Sequence, residues 1–406
     1  MNRRFQLAVV ASSTCVVLLL LFGAVRGRSA SADSPYSNLG VYSEVLSRIK
    51  ADYVEEPDMK AVTLGAINGM LESLDPYASY LNAEQYKEYL KSKQTPKADV
   101  GLVLSRRFGY LTVVDALPGS PAGKAGMTTG DVIESINNVS TRDMPLAYAE
   151  MLMQGDNGST LELSVLRVRK AEPQKISMTR VNLVYPPVTA RLITDQGSEP
   201  IGLIQTMTLS SGRVREIANK VQELEKQGAK KFILDLRHCS TGPPEEGIAL
   251  ANLFLDKGLM GYSMGQKVSR QDYEANASKA ITKLPLAVIV NRGTAGPSEI
   301  AAAALLDSKR ADVIGEHTYG DAAIQKAVSM ADGSAVILAV AKYYSPGGKA
   351  IQDTGVTPNV AQVESEPAAA TDDDSDLPDA PLTPSVNQKA SPDLMLKAAI
   401  DAVNKK

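Results

Sequence analysis

The stretch from Leu286 to Gln325 constrains the fold of this 406-residue chain more than any other. An apolar run from Leu286 to Val290 ends in a turn rich in glycine and proline, an alanine-rich helix begins at Pro297, and a second apolar run follows near Val313. Proline is well tolerated at the first position of a helix, because the N–H that it lacks would have no partner there. This strand–turn–helix–strand pattern is typical of open α/β folds, in which ligand-binding groups lie on turns at the carboxyl ends of strands.

Strand and helix patterns also alternate before this stretch. Apolar strands are predicted from Ile201 to Leu209 and from Lys231 to Leu236, and apolar side chains at helical spacing follow each of them. Strands that alternate with helices indicate a sheet whose faces are covered by helices. With 406 residues, of which 44% are hydrophobic, the chain is long enough for two or three domains. The predicted fold class is therefore multidomain α/β.

An apolar run near the N-terminus predicts export. Arg3 and Arg4 precede apolar residues from about 7 to 25, a run just long enough to span a bilayer, which favours an uncleaved signal anchor. The alternative is a cleaved signal peptide, because the residues from Ala30 to Ala32 resemble a signal-peptidase site. For a bacterial chain, both readings place the body in the periplasm, either tethered to the inner membrane or soluble after cleavage.

Composition argues against several classes of protein. A net charge of -3 and a pI near 5.7 give no reason to expect nucleic-acid binding. Of the two cysteines, Cys15 lies in the apolar run and Cys239 in the body, so no intrachain disulfide framework is expected. The two histidines, His238 and His317, are far apart in sequence and lack neighbours of ligand type. We therefore predict no metal site and no cofactor.

The string GSPAGKAGMTTGDVIESIN, from Gly119 to Asn137, resembles the part of a PDZ domain in which a short helix and a Gly-Asp turn lead into a strand. The resemblance implies a PDZ domain over residues 98–185 and a groove walled on one side by a helix from about Pro145 to Met153. Peptide or protein C-termini are the implied partners. The alternative is that the carboxylate-binding loop serves folding alone. That loop corresponds to Gly101, Leu102, Val103 and Leu104.

The stretch from Leu286 to Gln325 resembles the active-site segment of the carboxyl-terminal processing, or tail-specific, serine proteases. These use a Ser–Lys dyad and usually carry a PDZ domain. The family has Ser-Ala-Ser-Ala-Ser-Glu-Ile followed by Gly-Glu-x-Thr-Phe-Gly-Lys-Gly-x-x-Gln, and both blocks align here without a gap. The position of the nucleophilic serine is Gly296, and the position of the general-base lysine is Asp321. Gln325, which accompanies that lysine, is retained.

A second block, LDLRHCSTGPPEEGIALANLFL, resembles the Leu-Asp-Leu-Arg-Asn-Asn-Pro-Gly-Gly segment of the family and the helix that follows it. In active members the paired glycines direct backbone N–H groups at the developing oxyanion. Thr241 and Gly242 occupy their places here. Because a β-branched residue resists positive φ, we expect this loop to have a different shape.

These substitutions predict a family member without peptidase activity. Glycine has no hydroxyl with which to attack, and an aspartate carries the opposite charge to the lysine that it replaces. We predict an exported, membrane-tethered pseudoprotease that binds peptides or proteins. The alternative is an active serine-type endopeptidase that cleaves protein C-terminal tails with a relocated nucleophile. Ser298 is the fallback candidate, although a serine at a helix start more often bonds backbone N–H groups.

The predicted organisation has six parts. They are a signal anchor or signal peptide (1–32), an N-terminal helical region (36–97), the PDZ domain (98–185), a tail-specific-protease-like core (186–365), a disordered, acidic and proline-rich linker (366–391), and a C-terminal helix (392–406). The resemblance also implies assembly through the N-terminal helices, as a homodimer or with an active paralogue.

Overall fold

The computed structural model describes residues 38–94, 97–107, 109–167, 170, 172–194, 199–363 and 392–405. The predicted signal segment (1–32) and linker (366–391) lie outside the described residues. The chain divides into two compact units, Met1–Ala66 and Ile67–Lys406. The first contains helix α1 (Leu39–Asp52) and the start of α2 (Met59–Glu72). Among the helices described, none is long and apolar enough to cross a membrane.

The second unit continues with β1 (Ser79–Leu81) and α3 (Ala83–Gln94) and then forms a six-stranded antiparallel sheet in the segment that carries the PDZ string. The strands are β2 (Leu102–Arg107), β3 (Tyr110–Ala116), β4 (Val132–Ile136), β5 (Val139–Ser140), β6 (Thr160–Leu166) and β7 (Gln174–Thr179). The two helices are α4 (Pro121–Lys124) and α5 (Leu146–Met153). Strand β2 lies at the edge of the sheet and contacts α5, so the two elements predicted to wall the peptide groove lie side by side.

Strands and helices alternate through the remaining core. In chain order they are β8 (Thr189–Ile193), β9 (Ile201–Gln205), α6 (Arg213–Lys226), β10 (Lys231–Asp235), α7 (Pro244–Asn252), β11 (Leu259–Met264), β12 (Gln271–Glu274), β13 (Leu286–Val290), α8 (Pro297–Asp307), β14 (Ala311–Gly315), β15 (Ala323–Ser329), β16 (Ala335–Tyr344), β17 (Val360–Ala361) and α9 (Leu394–Asn404). The predicted start of α8 at Pro297 is confirmed.

The central sheet of the core has the order β17-β14-β13-β10-β9-β8 and is parallel except for β8. The carboxyl ends of β10 and β13 therefore lie side by side, and the turns that follow them approach one another. The predicted strand from Ile201 to Leu209 is too long, because β9 ends at Gln205. Beyond it the hydroxyl of Thr206 donates to the carbonyl of Thr208, a local bond that replaces ladder pairing.

A second sheet has the order β1-β16-β11-β12, with β15 also paired to β16. Strand β1 pairs with β16 in antiparallel register, Ser79 opposite Ile337 and Leu81 opposite Ala335. The end of the predicted N-terminal helical region is therefore built into the protease-like core. This arrangement brings the loop after α2 close to the segment between β14 and β15.

Helix α9 covers one face of the central sheet. Successive residues of a strand face opposite sides, and in β10 the side chains of Phe232 and Leu234 pack with helices α6 to α8, while Ile233 packs with α9. Helix α9 supplies Met395, Ala399 and Val403 to that contact, all fully buried or nearly so. The C-terminal helix thus docks on the body of the chain.

Truncation of Met395 tests this contact. Met395 is 1% exposed, so Met395→Ala is expected to lower the free energy of unfolding by about 2–4 kcal/mol. Its neighbour Leu394 is 40% exposed, and Leu394→Ala is expected to cost less than about 1 kcal/mol. Urea unfolding of the full chain measures both values. Equal effects of the two changes would mean that α9 does not rest on the sheet in solution.

Candidate functional site

Gly296 lies in the turn between β13 and α8, directly before the helix, with φ 64° and ψ -124°. Residues other than glycine rarely adopt this backbone conformation. Strained strand-to-helix turns of this kind present catalytic nucleophiles in several hydrolase folds. A Cβ atom built on Gly296 would lie 3.7 Å from the carbonyl oxygens of Asp321 and Ser240, so the site has room for a side chain. The turn has the shape that presents a nucleophile, but this residue offers none.

The carboxylate of Glu299, which is fully buried, joins the two positions that the dyad would occupy. Its Oε2 accepts the N–H groups of Gly296 at 3.0 Å and Asp321 at 2.8 Å. Its Oε1 accepts the N–H of Gly320 at 2.7 Å and the hydroxyl of Thr318. Burial raises the pKa of Glu299 to about 7, while the donated hydrogen bonds favour the ionised form. Glu299 therefore fixes the backbone of Asp321 beside Gly296.

The side chain at the predicted lysine position, Asp321, is acidic. Burial raises the pKa of Asp321 to about 6, and the nearby carboxyls of Asp353 and Asp75 raise it further. Within the described part of the chain, Asp321 has no salt bridge. At neutral pH most of the Asp321 carboxyl groups are ionised, so a negative charge lies at the position predicted from the sequence for the amine of the dyad.

This shift predicts a pH-dependent stability. Because the pKa of Asp321 is higher in the folded chain than in the unfolded chain, binding of a proton by this carboxyl stabilises the folded state. This contribution to the free energy of unfolding is fully present below about pH 4 and is lost as the pH rises through about 6. Between about pH 4 and about pH 7, the free energy of unfolding of the natural chain should fall by about 1–3 kcal/mol relative to that of the Asp321→Asn variant, whose residue 321 does not titrate. Denaturant unfolding of both proteins across this range measures the difference, and a difference that stays constant with pH would contradict the expectation.

The loop predicted to form the oxyanion site is tied to the segment after β9. The hydroxyl of Thr241 donates to Thr208 Oγ1 at 2.9 Å, and the N–H of Leu209 donates to the carbonyl of Thr241 at 2.8 Å. Thr241 is not among the described residues with positive φ, whereas Gly242 has φ 138°. A Cβ on Gly242 would lie 2.1 Å from the carbonyl oxygen of Leu209, so only glycine fits there.

Ser298, the fallback nucleophile, is fully buried at the start of α8. Its hydroxyl donates to the carbonyls of Cys239 and Ala295, the latter at 2.9 Å. The bonds therefore run to carbonyl oxygens, in place of the backbone N–H groups expected from the sequence. The other nearby hydroxyl, on Thr294, is also fully buried and donates to the carbonyl of Leu236 at 2.9 Å. Both hydroxyls hold the turn together from inside.

Gln325 lies further along, on β15, opposite Ala339 of β16. Its side chain is exposed. In the described part of the chain, no hydrogen bond connects this side chain with Asp321. The structure thus brings Gly296, Asp321, Thr241 and Gly242 into one region, while the retained glutamine lies on the exposed side of β15.

The residues predicted to bind a peptide carboxylate lie at the start of the edge strand β2. Gly101 has φ 82°, and its N–H donates to Asp99 Oδ1 at 2.8 Å. A Cβ on Gly101 would lie 2.5 Å from Ser120 Cβ, so this position requires glycine. Leu102 and Val103 are half-buried, whereas Leu104 packs in the core of the PDZ sheet. The loop is therefore closely packed on the start of α4.

Comparison with known proteins now identifies the family. Residues 200–362 match peptidase family S41, residues 112–167 match a PDZ domain, and residues 24–85 match the N-terminal domain of the activating protease CtpB. The carboxy-terminal processing protease CtpA of Bacillus subtilis is 33% identical over 370 residues, which cover 89% of this chain and 78% of that protein. The chain belongs to the C-terminal processing family of PDZ-containing serine proteases. The family predicted from the sequence is confirmed.

Two further relatives support the same assignment. The carboxyl-terminal-processing protease of Synechocystis is 33% identical over 315 residues, covering 77% of this chain and 74% of that protein. The solved structure of a photosystem II D1 C-terminal processing protease is 28% identical, with a TM-score of 0.66 over 80% of this chain and 93% of that one. The multidomain α/β class, with a PDZ domain and an S41 core of mixed sheets flanked by helices, is therefore confirmed.

This C-terminal processing family member also has a polar cluster that the sequence did not reveal. The carboxylate of Asp115, on β3, accepts a hydrogen bond from the hydroxyl of Ser240 at 3.0 Å through Oδ2. Its Oδ1 lies 3.0 Å from His238 Nδ1. The Asn291 amide lies 2.9 Å from His238 Nε2, and its oxygen accepts the N–H groups of His238 and Gly293. Because the oxygen of the Asn291 amide accepts those two N–H groups, its nitrogen must point at the imidazole ring. Nε2 of His238 therefore accepts a hydrogen bond from this nitrogen, and Nδ1 carries the imidazole proton. The PDZ sheet thereby holds the loop that carries Thr241.

Two cavities lie along the boundary between the PDZ sheet and the core. One, of about 450 Å³, is here called the acidic cavity after its three carboxyl groups, and it is lined by Glu72, Leu74, Asp75, Pro76, Tyr77, Arg106, Tyr319, Gly320 and Asp353. The other, of about 700 Å³, lies between β3, β4 and the loop after β14. Tyr319 and Asp353 line both, and Tyr319 also packs against the core of the PDZ sheet. Tyr319 therefore links that sheet to the loop that carries Asp321.

Proposed function

We propose that this chain is a non-catalytic member of its family that binds the C-terminal segments of other proteins. One observation carries the proposal: Gly296 and Asp321, which lie side by side in the structure, lack both groups of a Ser–Lys dyad. A hydroxyl and a neutral amine in contact are the minimum for acyl transfer by that mechanism. The backbone of the site is held by Glu299, so the region can still receive a peptide.

The loop around Thr241 supports the same proposal. Oxyanion stabilisation depends on N–H donors that are fixed in advance, and each missing donor typically reduces kcat about a hundredfold to a thousandfold. In this chain Thr241 bonds to Thr208, and Gly242 follows with a φ that only glycine adopts. A third element of the catalytic apparatus is thus altered together with the two dyad positions.

The alternative is an active serine-type endopeptidase, and it is supported by the relatives named above, which are described as proteases. The observation that favours it most is the proximity of Ser240, Asp115 and His238. In that cluster, however, the hydroxyl of Ser240 donates to the carboxylate, and Nε2 of His238 is occupied by Asn291. The acceptor nitrogen of the imidazole thus lies against Asn291, and the serine hydroxyl donates to a carboxylate, which is not the arrangement of a Ser–His–Asp triad.

Location and assembly are also part of the proposal. The body is placed in the periplasm and tethered to the inner membrane, which N-terminal sequencing of the mature protein and membrane fractionation would test. Helix α1 has no buried residue in the single chain, although Tyr42, Val45, Leu46 and Ile49 form an apolar stripe along it. This stripe supports assembly as a homodimer or with an active paralogue, which sedimentation equilibrium of the full chain would test.

The peptide-binding half of the proposal is tested with short random-sequence peptides that end in a free carboxylate or in an amide. We expect the carboxylate form to bind at least about tenfold more tightly and to be recovered intact by mass spectrometry. Gly101→Ala should abolish the preference, because its Cβ would meet Ser120 at 2.5 Å. Gly126→Ala, with φ 66° and open space around it, is the matched control. Equal binding of the two peptide forms would reject carboxylate recognition.

A further inference from the structure

The acidic cavity contains more negative than positive charge. Glu72 is paired with Arg106 at 3.3 Å, and Asp353 with Lys342 at 2.8 Å. Within the described residues, Asp75 has no salt bridge, and neither has Asp321, which follows the lining residue Gly320. Asp75, Gly320 and Asp353 line the cavity together, and the N–H of Asp353 donates to the carbonyl of Gly320 at 2.9 Å, so Asp321 follows directly after a residue that is bonded to Asp353. Two negative charges therefore lack a counter-charge beside the cavity.

Two buried polar groups of the same cavity are not fully satisfied. Tyr77 is 7% exposed and lines the cavity, and its hydroxyl interacts with the buried hydroxyl of Ser105 without a well-aligned hydrogen bond. That hydroxyl lies within electrostatic reach of Asp321. Arg106 is 3% exposed, and its Nε has no acceptor. Buried polar groups are nearly always satisfied, so a hydroxyl and an N–H that are not fully satisfied at one cavity indicate a ligand that supplies their partners.

We propose that the acidic cavity receives the ammonium or guanidinium group of a lysine or arginine side chain from a bound peptide, through Asp75, Asp321 and the hydroxyl of Tyr77. The N–H at Arg106 Nε donates to a carbonyl of the same peptide. This inference rests on the proposed function, because it assigns a side-chain preference to the peptide that the chain binds.

The dyad substitution itself explains why this cavity would prefer a cation. A lysine at position 321 would place its own ammonium among the carboxyls of Asp75 and Asp353. Aspartate at that position removes the cation and adds an anion, so the charge of the region becomes more negative by two. A basic side chain from the ligand restores the missing counter-charge. A metal ion is a poorer fit, because among the described residues no three acidic, histidine or cysteine side chains are arranged so that they could hold one.

The test uses the full chain and the carboxylate-ending random peptides, in matched sets with lysine, norleucine or glutamate at one position at a time. Lysine should bind about tenfold more tightly than norleucine at one or two neighbouring positions, and glutamate more weakly than both. Asp321→Asn and Asp75→Asn should each reduce the lysine-to-norleucine ratio to about threefold or less. The asparagine at position 75 still accepts the turn N–H groups of Tyr77 and Ala78.

Tyr77→Phe separates ligand binding from folding. Loss of a buried hydroxyl whose one hydrogen bond, to Ser105, is poorly aligned should change the midpoint of urea unfolding little, while the lysine preference falls severalfold. Asp401→Asn, an exposed position on α9, carries the same charge change and should keep the full preference. If Asp401→Asn lost the lysine preference to the same extent, the preference would come from the net charge of the chain and not from this cavity, and the proposed site would be wrong.

The remaining outcomes distinguish this inference from the proposed function. If lysine and norleucine bind equally at every position while the carboxylate preference persists, only the basic-side-chain site is overturned. If no peptide binds at all, the proposed function and this inference both fail.

Discussion

Replacing Glu299 by alanine is expected to lower the free energy of unfolding by about 4 kcal/mol. The change leaves four donors without an acceptor in the interior: the N–H groups of Gly296, Gly320 and Asp321 and the hydroxyl of Thr318. Each unsatisfied buried donor typically costs about 1–3 kcal/mol, and the methylenes removed add to this. The effect is large for a residue that contacts no ligand.

Two variants control for the size of the change at Glu299. Glu299→Gln keeps one acceptor oxygen, so it should cost about half as much. Glu316→Ala removes a carboxylate that pairs at 3.0 Å with an exposed arginine, Arg292, and should cost less than about 1 kcal/mol. Urea unfolding of the full chain gives all three values. If Glu299→Ala costs no more than Glu316→Ala, Glu299 does not hold the site together.

Restoring the dyad is expected to create a peptidase. In Gly296→Ser with Asp321→Lys, the new hydroxyl projects from a turn that already has nucleophile geometry, beside the backbone of residue 321. Cleavage of an unfolded, tail-bearing substrate should be detectable but about a hundredfold to a thousandfold slower than by an active relative, because Thr241 remains in the oxyanion loop. Asp75 and Asp353 favour the charged ammonium, so the rate should keep rising from about pH 7 to about pH 9.

The matched control for the restored dyad is Gly296→Ala with Asp321→Lys. It carries the same backbone strain and the same lysine but no hydroxyl, so it should remain inert. Addition of Thr241→Gly to the restored dyad should increase the rate further. Cleavage by the alanine control at the rate of the serine variant would show that residue 296 is not the nucleophile position.

Local patterns in the sequence predicted much of the molecule. The apolar run before the turn and Pro297 after it placed the start of α8, and the gapless match of two blocks placed Gly296 and Asp321 in one site. Such features depend on neighbours in sequence, where helix and strand periods act. The hydrogen bonds of Ser298 were not predicted correctly: its hydroxyl was expected to bond backbone N–H groups, but it donates to the carbonyl of Cys239, which lies on another β–α turn.

Contacts between distant segments were out of reach of the sequence. Asp115 meets His238 across 123 positions of the chain, so no spacing rule joins them. The acidic cavity likewise combines the loop after α2 with residues that follow β14 and β16. The pairing of β1 with β16 and the packing of Tyr319 on the PDZ sheet help to bring these segments together.

Whether the chain lacks peptidase activity is tested by a mass-spectrometric time course of an unfolded, tail-bearing protein incubated with the full natural chain. We predict that the substrate stays intact and that a broad serine-reactive probe labels no residue of the chain. Cleavage that disappears in Ser240→Ala or Ser298→Ala would contradict the account, because the chain would then be an active peptidase with its nucleophile outside position 296.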